Sequence, residues 1–240
     1  MVLRRRDAGE SDRRLTVLTP EAGKFDVFAK GARKAGSRLA GSSEPLMVSV
    51  LQLAPGRRYR YVTQSQPITS FPGLRSDYAK LSFGLALAEL CDAVIPYEEP
   101  AAEPFQFLVE ALHRLEAHEK PLVALVWAEI RLMDLTGFLP QFDVCAVTGE
   151  AVRGARCVLS PMAGGYVSPG EADRFVDAFQ ARVEVLYGLA RITLEDVPPG
   201  NLRFAPECLT ALMPFWRNIA ECPLPANEQA LACVRDDAQS

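Results

Sequence analysis

The stretch Arg14-Leu-Thr-Val-Leu-Thr-Pro-Glu-Ala-Gly-Lys-Phe-Asp-Val-Phe-Ala-Lys30 decides the fold of the first part of this chain. Polar and apolar residues alternate over residues 14–19 and again over residues 24–30, which is the period of a β-strand with one buried face. The tetrapeptide Pro20-Glu-Ala-Gly23 between the two segments favours a turn. The stretch therefore predicts a β-hairpin.

Further strand-like segments lie on both sides of this hairpin. One precedes it at residues 2–6, and two follow it at residues 46–53 and 57–64, separated by the turn Ala54-Pro-Gly56. About five short antiparallel strands are the number expected for a small Greek-key barrel. Residues 1–72 are therefore predicted to form an N-terminal β-barrel.

Beyond residue 73 the apolar residues recur at helical spacing instead. The predicted helices cover residues 77–95, 104–115, 121–136, 171–187, 206–219 and 227–234. Prolines, glycines and two cysteines interrupt the pattern at residues 140–170. The predicted fold class is α+β, with an all-α domain at residues 73–240 that carries a small insertion at residues 140–170.

The charge of the chain is divided by position. Residues 1–80 carry 15 Lys or Arg against 7 Asp or Glu, whereas residues 81–240 carry 11 against 23. The net charges are +8 and −12, so the overall −4 conceals a basic N-terminal third. A basic domain joined to an acidic one indicates that the basic domain binds a polyanion.

The basic residues are clustered, and one cluster is interleaved with tyrosines. A strand over residues 57–64 places Arg58 and Arg60 on one face and Tyr59 and Tyr61 on the other. Arginines that contact phosphates beside an aromatic ring that stacks on a base suit single-stranded nucleic acid. The alternative is that the arginines are solvated and the tyrosines are core. The predicted DNA-binding residues are Lys30, Arg33, Lys34, Arg38, Arg58, Arg60 and Tyr59.

Nothing in the sequence indicates an enzyme. His113 and His118 lie five residues apart on a predicted helix, so they do not share one face. No phosphate-binding loop is present, and no Ser, Cys or carboxylate has a recognisable catalytic setting. We expect no catalytic residue and no cofactor. No apolar run is long enough for a membrane span or a signal peptide, so we expect a cytoplasmic protein with reduced cysteines and no membrane partner.

Several stretches, in this order and spacing, resemble the bacterial RecO family of DNA repair and recombination mediators. They are Val2-Leu-Arg-Arg-Arg-Asp-Ala-Gly-Glu-Ser-Asp12, Leu18-Thr-Pro-Glu-Ala-Gly-Lys24, Ala29-Lys-Gly-Ala-Arg-Lys34 with Ser37-Arg38, Phe71-Pro-Gly-Leu-Arg-Ser-Asp77, Glu89-Leu90, Leu135-Thr-Gly-Phe-Leu-Pro140 and Gly164-Gly165. No single motif is decisive, but the resemblance covers nearly the whole chain.

The resemblance implies that residues 1–72 are an OB-fold domain and that residues 73–240 are the helical domain. It implies binding of single- and double-stranded DNA, annealing of complementary strands, and action with the single-strand-binding protein. It also implies partnership with RecR to load RecA at gaps, without catalytic turnover, in a nucleoid-associated protein. The alternative function is a protein-interaction or RNA-binding adaptor that does not anneal strands.

The chain departs from the family at a zinc site. Many relatives carry two C-x-x-C pairs, the second pair following a Gly-Gly. Here Cys145 stands at the first ligand position, but Thr148, Ser168 and Glu171 stand at the other three. Hydroxyl groups are poor zinc ligands, so we expect no metal. Cys157 is a candidate for one missing position, and Cys208, Cys222 or Cys233 could approach in the fold. We expect residues 153–159 and 165–168 still to pair as a hairpin.

A partner site is predicted on the helix at residues 121–136. Trp127 and Arg131 lie one turn apart there, and an apolar pocket rimmed by a cation suits the acidic, apolar C-terminal tail of a single-strand-binding protein. This partner is implied by the family resemblance. The alternative is that Trp127 is part of the core and Arg131 is an ordinary surface residue.

Overall fold

The computed structural model describes residues 1–57 and 59–237. The chain divides into two compact units, Met1–Glu116 and Ala117–Ser240, which are described separately. The first unit contains a five-stranded sheet followed by helices, and the second is mainly helical. The predicted α+β class, with a five-stranded N-terminal sheet before a helical region, is therefore confirmed.

The first unit begins with the predicted strands. They are β1 (Val2–Ala8), β2 (Asp12–Thr19), β3 (Gly23–Ala29), β4 (Val48–Pro55) and β5 (Arg60–Thr69). The hairpin formed by β2 and β3 is present, with Leu15 opposite Val27 and Val17 opposite Phe25. Strand β5 begins three residues later than predicted and extends to Thr69.

The strand order is β1-β2-β3-β5-β4. All neighbouring pairs are antiparallel except β3 and β5, which run parallel with Phe28 opposite Tyr61. The two ends of this order approach each other at one corner. Val2 donates its backbone N–H to the Met47 oxygen at 2.9 Å, and Leu46 donates to the Val2 oxygen at 2.9 Å. These two bonds connect β1 to the residues just before β4.

The curved sheet encloses an apolar core. Its members are Val2, Leu15, Val17, Phe25, Val27, Ala29, Ala32, Met47 and Val62, with Leu39, Leu51 and Leu53 packed against them. The alternating pattern predicts that only one face of β2 is buried, but Thr16 and Leu18 are buried as well. The reason is tertiary, because a helix packs against the neighbouring strand β1 and covers the sheet on a second side.

The helices of the first unit are α1 (Leu39–Ser42), α2 (Pro72–Arg75), α3 (Tyr78–Val94) and α4 (Ala102–Ala117), whose last residue lies in the second unit. Asp77 caps α3 by accepting from the Lys80 backbone N–H at 3.0 Å. The compact unit that contains the sheet thus continues past residue 72 to Glu116. The domain boundary predicted at residue 72 stays a prediction.

The second unit is built around α5 (Pro121–Leu135), in which ten residues are buried. Helices α6 (Val183–Ile192) and α7 (Ala205–Ala220) pack against α5, and α8 (Pro225–Asp237) packs against α7. A helix that is apolar on most of its surface must be covered on most sides, which agrees with this central position. Gly137 follows α5 with a positive φ of 77°, as predicted for a residue that ends the helix.

A small antiparallel sheet replaces part of the predicted helical pattern. Strands β6 (Arg156–Ser160), β7 (Gly165–Val167) and β8 (Phe179–Arg182) lie in the order β7-β6-β8. The predicted hairpin of β6 and β7 is confirmed, with Val158 opposite Val167. The helix predicted at residues 171–187 is wrong in its first part. Residues 169–174 form a 3₁₀ helix and β8 pairs with β6, so a non-local strand pairing overrides the local helical spacing.

Within residues 1–57 and 59–237, no helix is both long enough and apolar enough to cross a lipid bilayer.

Candidate nucleic-acid interface

The basic loop between β3 and α1 is anchored at both ends. Asp12 accepts a hydrogen bond from the Gly31 backbone N–H at 2.8 Å, and this bond lowers the pKa of the Asp12 carboxyl. At the far end, the Arg13 guanidinium donates to the Ala40 carbonyl oxygen at 3.0 Å and to Ser43 Oγ at 2.6 Å. These hydrogen bonds hold the loop in a defined place.

The four cations of this loop differ in their surroundings. Arg33 donates to the Gly9 carbonyl oxygen at 3.1 Å and lies 3.4 Å from an Asp7 carboxylate oxygen. Lys30, Lys34 and Arg38 are exposed, and none of them forms an ion pair with any residue that the structure describes. Within the described residues these three cations thus have no ion pair, and the charges of Lys30 and Lys34 contribute to the lowered pKa of the Asp12 carboxyl.

A row of aromatic rings begins beside this loop. The Lys30 Nζ lies 4.2 Å from the centre of the Tyr61 ring. The Phe28 ring centre is 6.2 Å from that of Tyr61 and 4.7 Å from that of Tyr59. Tyr61 and Tyr59 therefore flank the same phenylalanine, and the row connects the loop to the turn between β4 and β5.

The predicted basic strand is arranged differently from the expectation. Arg57 and Tyr59 lie before β5, in a turn closed by the Gly56 N–H bond to the Tyr59 oxygen at 2.9 Å. The Arg60 guanidinium lies 4.7 Å from the Phe25 ring centre and 3.9 Å from a Glu98 oxygen. Arg58, which is also a predicted DNA-binding residue, lies outside the described residues.

This turn forms one wall of a groove of about 470 Å³ in the first unit. The groove is lined by Phe25, Asp26, Pro55, Gly56, Arg57, Tyr59, Arg60, Tyr97 and Glu98. Tyr97 and Glu98 come from the segment between α3 and α4. The Glu98 N–H donates to the Lys24 oxygen at 2.8 Å, so this segment runs beside the edge of β3.

The cations of β1 and β2 are largely paired with carboxylates. Arg4 lies 3.3 Å from an Asp92 oxygen, and Arg14 lies 2.6 Å from an Asp26 oxygen. Arg5 and Arg13 share the carboxylate of Glu44. These four side chains contact three carboxylates, so their charge is partly compensated within the first unit.

Two family models match this chain. The model described as "Recombination protein O N terminal" matches residues 1–71, and "Recombination protein O C terminal" matches residues 75–221. The chain belongs to the RecO family. A protein named "DNA repair protein RecO" from Heliobacterium modesticaldum is 32% identical over 100% of this chain and 89% of its own length. Another of that name from Roseiflexus sp. is 38% identical over 92% of this chain and 80% of its own length.

Of the four positions at which the family resemblance implies zinc ligands, Thr148 and Ser168 contact the sulfur of Cys145, whereas Glu171 forms an ion pair with Arg174. Cys145 Sγ accepts from the Ser168 N–H at 3.2 Å, lies 3.4 Å from Ser168 Oγ, and accepts from the Thr148 N–H at 3.5 Å. Burial acts to raise the pKa of the Cys145 thiol, but these hydrogen bonds lower it to about 6. Hydrogen bonds to the Cys145 sulfur thus join the segment at residues 145–148 to Ser168.

The residues present do not fit zinc. Only one soft ligand occupies the four positions, and its lone pairs already accept hydrogen bonds. Cys157 Sγ lies 3.6 Å from the carbonyl oxygens of Ala181 and Arg182, and Cys208 Sγ lies 3.9 Å from that of Val185. No three His, Cys, Asp or Glu side chains within the described ranges come together as a metal site.

The Gly164-Gly165 pair explains how this turn closes. A side chain at Gly165, whose φ is 153°, would place its Cβ 2.2 Å from the Gln141 carbonyl oxygen. Gln141 instead donates its backbone N–H to the Gly164 oxygen and accepts from the Tyr166 N–H, both at 2.8 Å. The glycines therefore allow two backbones to approach, as the turn requires.

The predicted partner residues on α5 lie in different environments. The Trp127 side chain is buried, with 3% exposed, and its indole N–H donates to the Glu195 carbonyl oxygen at 2.9 Å. Arg131 lies at the surface, with a carboxylate oxygen of Asp134 at 3.1 Å. Partner binding by these two residues stays a prediction, and the indole face of Trp127 is not available at the surface.

A different pocket of the second unit does combine apolar walls with a cation. It has a volume of about 400 Å³ and is lined by Leu139, Pro140, Gln141, Phe142, Asp143, Ala190, Arg191, Thr193 and Leu194. Leu194 is 84% exposed. The Arg191 guanidinium extends to Glu195 at 3.4 Å across the surface, so its charge lies at the rim. Sequence reasoning missed this pocket because its two segments are about fifty residues apart.

The two histidines are each engaged separately. His113 lies with its ring centre 4.8 Å from that of Phe71 and its Nδ1 3.8 Å from a Glu116 oxygen. His118 Nδ1 accepts from the Lys120 N–H at 2.9 Å, and its Nε2 lies 3.2 Å from the Pro199 oxygen. Neither arrangement brings a nucleophile to the imidazole.

Proposed function

We propose that this protein is a non-enzymatic DNA-binding mediator of recombinational repair, acting at the nucleoid in the cytoplasm. Family membership supports the general role, because the relatives are named "DNA repair protein RecO". One structural observation carries the DNA-binding part of the proposal. Exposed cations that form no ion pair with the described residues lie beside a row of aromatic rings, which is the combination that holds a nucleic-acid backbone and stacks bases.

The proposed phosphate contacts are the loop cations and the arginines of the β4–β5 turn. Lys30, Lys34 and Arg38 are the main candidates, because no ion pair within the described chain competes with a phosphate for them. Arg33 and Arg60 lie 3.4 and 3.9 Å from exposed carboxylates, and Arg33 also donates to the Gly9 carbonyl oxygen. Such surface pairs are weak, and a phosphate can replace the carboxylate. Arg58 is retained on its sequence position, and Tyr59 as a stacking platform.

We propose that the five-stranded sheet is an OB-fold barrel within a domain of residues 1–72. The strand order, the single parallel pair of β3 with β5, and the bonds from Val2 to Leu46 and Met47 support this. The N-terminal family model ends at residue 71 and the C-terminal one begins at residue 75, close to the proposed boundary at residue 72. The remaining residues, 73–240, would then be the helical domain, with the metal-free insertion at residues 140–170.

The finer activities follow from the family resemblance. They are binding of single- and double-stranded DNA, annealing of strands coated with single-strand-binding protein, and joint action with RecR in loading RecA. Annealing is the decisive experiment, because the competing function predicts none. Purified protein should anneal complementary strands coated with single-strand-binding protein, and increasing salt should weaken its DNA binding steeply.

Either of two results would contradict this proposal. One is DNA binding that is nearly independent of salt, since phosphate contacts release counterions. The other is specific binding of RNA or of a protein ligand by the first unit with no annealing, which would favour the adaptor function.

We propose that the pocket containing Arg191 binds the tail of the single-strand-binding protein, with Arg131 as the sequence-based alternative. The apolar wall of Leu139 and Phe142 suits an apolar tail, and Arg191 suits its carboxylates. Arg191→Glu should weaken tail-peptide binding about tenfold or more, because reversing a rim charge opposes an acidic ligand. The matched variant Arg131→Glu should change it less than twofold. The reverse order would assign the tail to the site predicted on α5.

We propose further that the insertion needs no metal. Incubation with a strong chelator should leave the thermal unfolding temperature unchanged, and metal analysis should find no zinc. Cys145→Ala should lower the free energy of unfolding by about 1–2 kcal/mol, because the N–H groups of Ser168 and Thr148 lose their acceptor. One tightly held zinc per chain would refute this proposal.

A further inference from the structure

The groove between the β4–β5 turn and the segment after α3 has an unusual lining for a polyanion-binding surface. It contains aromatic rings and two arginines, as expected, but also two carboxylates. We propose that this groove binds one unpaired guanine base of single-stranded DNA. The proposal rests on the proposed DNA-binding function and names the base that this part of the surface selects.

The shape of the groove suits a base with its sugar. Its volume of about 470 Å³ lies within the roughly 300–1,000 Å³ typical of small-molecule sites. Tyr97 is 47% exposed, and Tyr59 lines the same groove. Exposed aromatic faces accept a base by stacking, whatever its identity.

Tyr97 is held in a fixed position by the buried Lys24. The Lys24 Nζ lies 4.4 Å from the Tyr97 ring centre and 3.5 Å from an Asp92 oxygen. Burial lowers the pKa of the Lys24 ammonium, and the Asp92 carboxylate opposes this shift. The Tyr97 ring is therefore supported by a buried cation, and the Tyr97 backbone is paired with that of Lys24. Such a ring is a preorganised stacking platform.

Glu98 is the residue that gives the groove its selectivity. Its backbone has a φ of 58°, which is uncommon and costly for a residue other than glycine. The 2.8 Å bond from its N–H to the Lys24 oxygen keeps it there. Its side chain is largely exposed, and its nearest cation, Arg60, is 3.9 Å away. The Glu98 carboxylate is therefore available to accept hydrogen bonds.

Asp26 is the less available of the two acids. Its carboxylate accepts from Arg14 Nη2 at 2.6 Å and from Thr16 Oγ1 at 2.8 Å. Each carboxylate oxygen of Asp26 can accept a second hydrogen bond, but the bonds from Arg14 and Thr16 already fix the orientation of the carboxylate. Asp26 thus shapes the wall, and Glu98 is the group that can turn towards a ligand.

A carboxylate distinguishes guanine from the other bases. Guanine presents two adjacent donors, N1–H and the N2 amine, and a carboxylate can accept both at once. Cytosine and adenine offer one amine beside an acceptor nitrogen, and thymine places its single N–H between two carbonyl oxygens that repel the carboxylate. Arg57 and Arg60 at the same groove would take the flanking phosphates.

The test compares strands that differ at one position. The probes are oligo-dT, the same strand with one central dG, and the same strand with one central deoxyinosine, which lacks the N2 amine. Wild-type protein should bind the dG strand about fivefold more tightly than oligo-dT, with deoxyinosine between them. Equal binding of all three strands would overturn the guanine site.

Two variants separate this site from general charge. Glu98→Gln should reduce the preference for dG below about twofold and slightly raise the affinity for oligo-dT, because a repelling charge is removed. Tyr97→Leu should weaken single-strand binding about fivefold or more and leave duplex binding unchanged, whereas Tyr97→Phe should behave as wild type. An unchanged dG preference in Glu98→Gln would refute the role of Glu98.

The same measurements distinguish failure of the two proposals. Salt-dependent binding of every strand without base preference would remove the guanine site and leave the DNA-binding function intact. Weak, salt-independent binding of every strand would remove the DNA-binding function itself, and the guanine site with it.

Discussion

The run Arg4–Arg6 and the loop at residues 30–38 are both dense in cations, yet the fold uses their charges differently. Arg4 and Arg5 form ion pairs with Asp92 and Glu44. Lys34 and Arg38 form none with the residues described. The clusters are comparable in sequence, but within the described residues the loop has three cations without an ion pair, Lys30, Lys34 and Arg38, whereas the Arg4–Arg6 run has one, Arg6.

One of the paired cations, Arg13, also positions the basic loop. Arg13 forms an ion pair with Glu44 and, through its hydrogen bonds to Ala40 and Ser43, holds the end of the basic loop.

Buried ionisable groups show a similar contrast. In the first unit Lys24 has the Asp92 carboxylate beside it, whereas in the second unit Glu129 has a hydrogen bond from Trp216 Nε1 at 2.8 Å but no cation among the described residues. The behaviour of a buried ionisable group therefore depends on whether an oppositely charged group lies beside it.

The largest expected effect concerns Glu129. Burial raises the pKa of the Glu129 carboxyl to about 8, so the folded protein keeps this proton while the unfolded chain loses it near pH 4.5. The contribution of Glu129 to the free energy of unfolding is complete below pH 4.5 and is lost as the pH rises towards 8. The loss should amount to about 4 kcal/mol at most between pH 5 and pH 8.

Glu129→Gln tests this because it mimics the protonated carboxyl. The difference in unfolding free energy between variant and wild type should shift in favour of the variant as the pH rises. Both tryptophans, Trp127 and Trp216, lie in the second unit, so tryptophan fluorescence during urea unfolding reports on that unit. A difference that does not change with pH would show that Glu129 is ionised in the folded protein.

The next effect concerns the buried cation. Lys24→Met should lower the stability of the first unit by about 3 kcal/mol, because the Asp92 carboxylate loses one of its two partners. Duplex affinity at a temperature where the variant is folded should change less than twofold, whereas single-strand affinity should fall because the Tyr97 ring loses the cation that supports it. Thermal unfolding followed by circular dichroism and titrations with both kinds of DNA check the two parts. A large loss of duplex affinity in a folded variant would place Lys24 itself in the interface.

The direct test of the comparison removes two charges from each cluster. Lys34→Gln/Arg38→Gln should weaken DNA binding on the order of 30-fold near 0.1 M salt. The slope of log K against log salt concentration should become shallower by about 1.8 on duplex DNA and about 1.4 on single strands. Fluorescence anisotropy over a range of salt concentrations measures both quantities. An unchanged slope would show that these residues do not contact phosphate.

The smallest effect is expected for the matched variant Arg4→Gln/Arg5→Gln. It removes the same number of charges, but those charges already face carboxylates, so DNA affinity should fall less than threefold with an unchanged salt slope. Stability should fall by about 1 kcal/mol or less. If this pair and the loop pair weakened binding equally, net charge alone would explain the interface.

The success of sequence reasoning differed between local and non-local features. The hairpin of β2 and β3 and the helices α3 and α5 follow from periodicity and turn residues, and each was predicted within a few residues. Strand β8 was not predicted, because its pairing with β6 depends on a partner about twenty residues away. Tyr97 and Glu98 carry no sequence signal, since their position depends on backbone pairing with Lys24.

The sequence by itself determined the α+β class, most elements, the cation clusters and the single cysteine among the four positions at which the family resemblance implies zinc ligands. Periodicity and composition are local properties, and a residue shows them without its neighbours in space. Only the tertiary structure decided which cations form ion pairs, how Ser168 meets Cys145, and that a carboxylate lines the aromatic groove. Ion pairs and hydrogen bonds of this kind join residues far apart in the chain, so their formation depends on the packing of the whole unit.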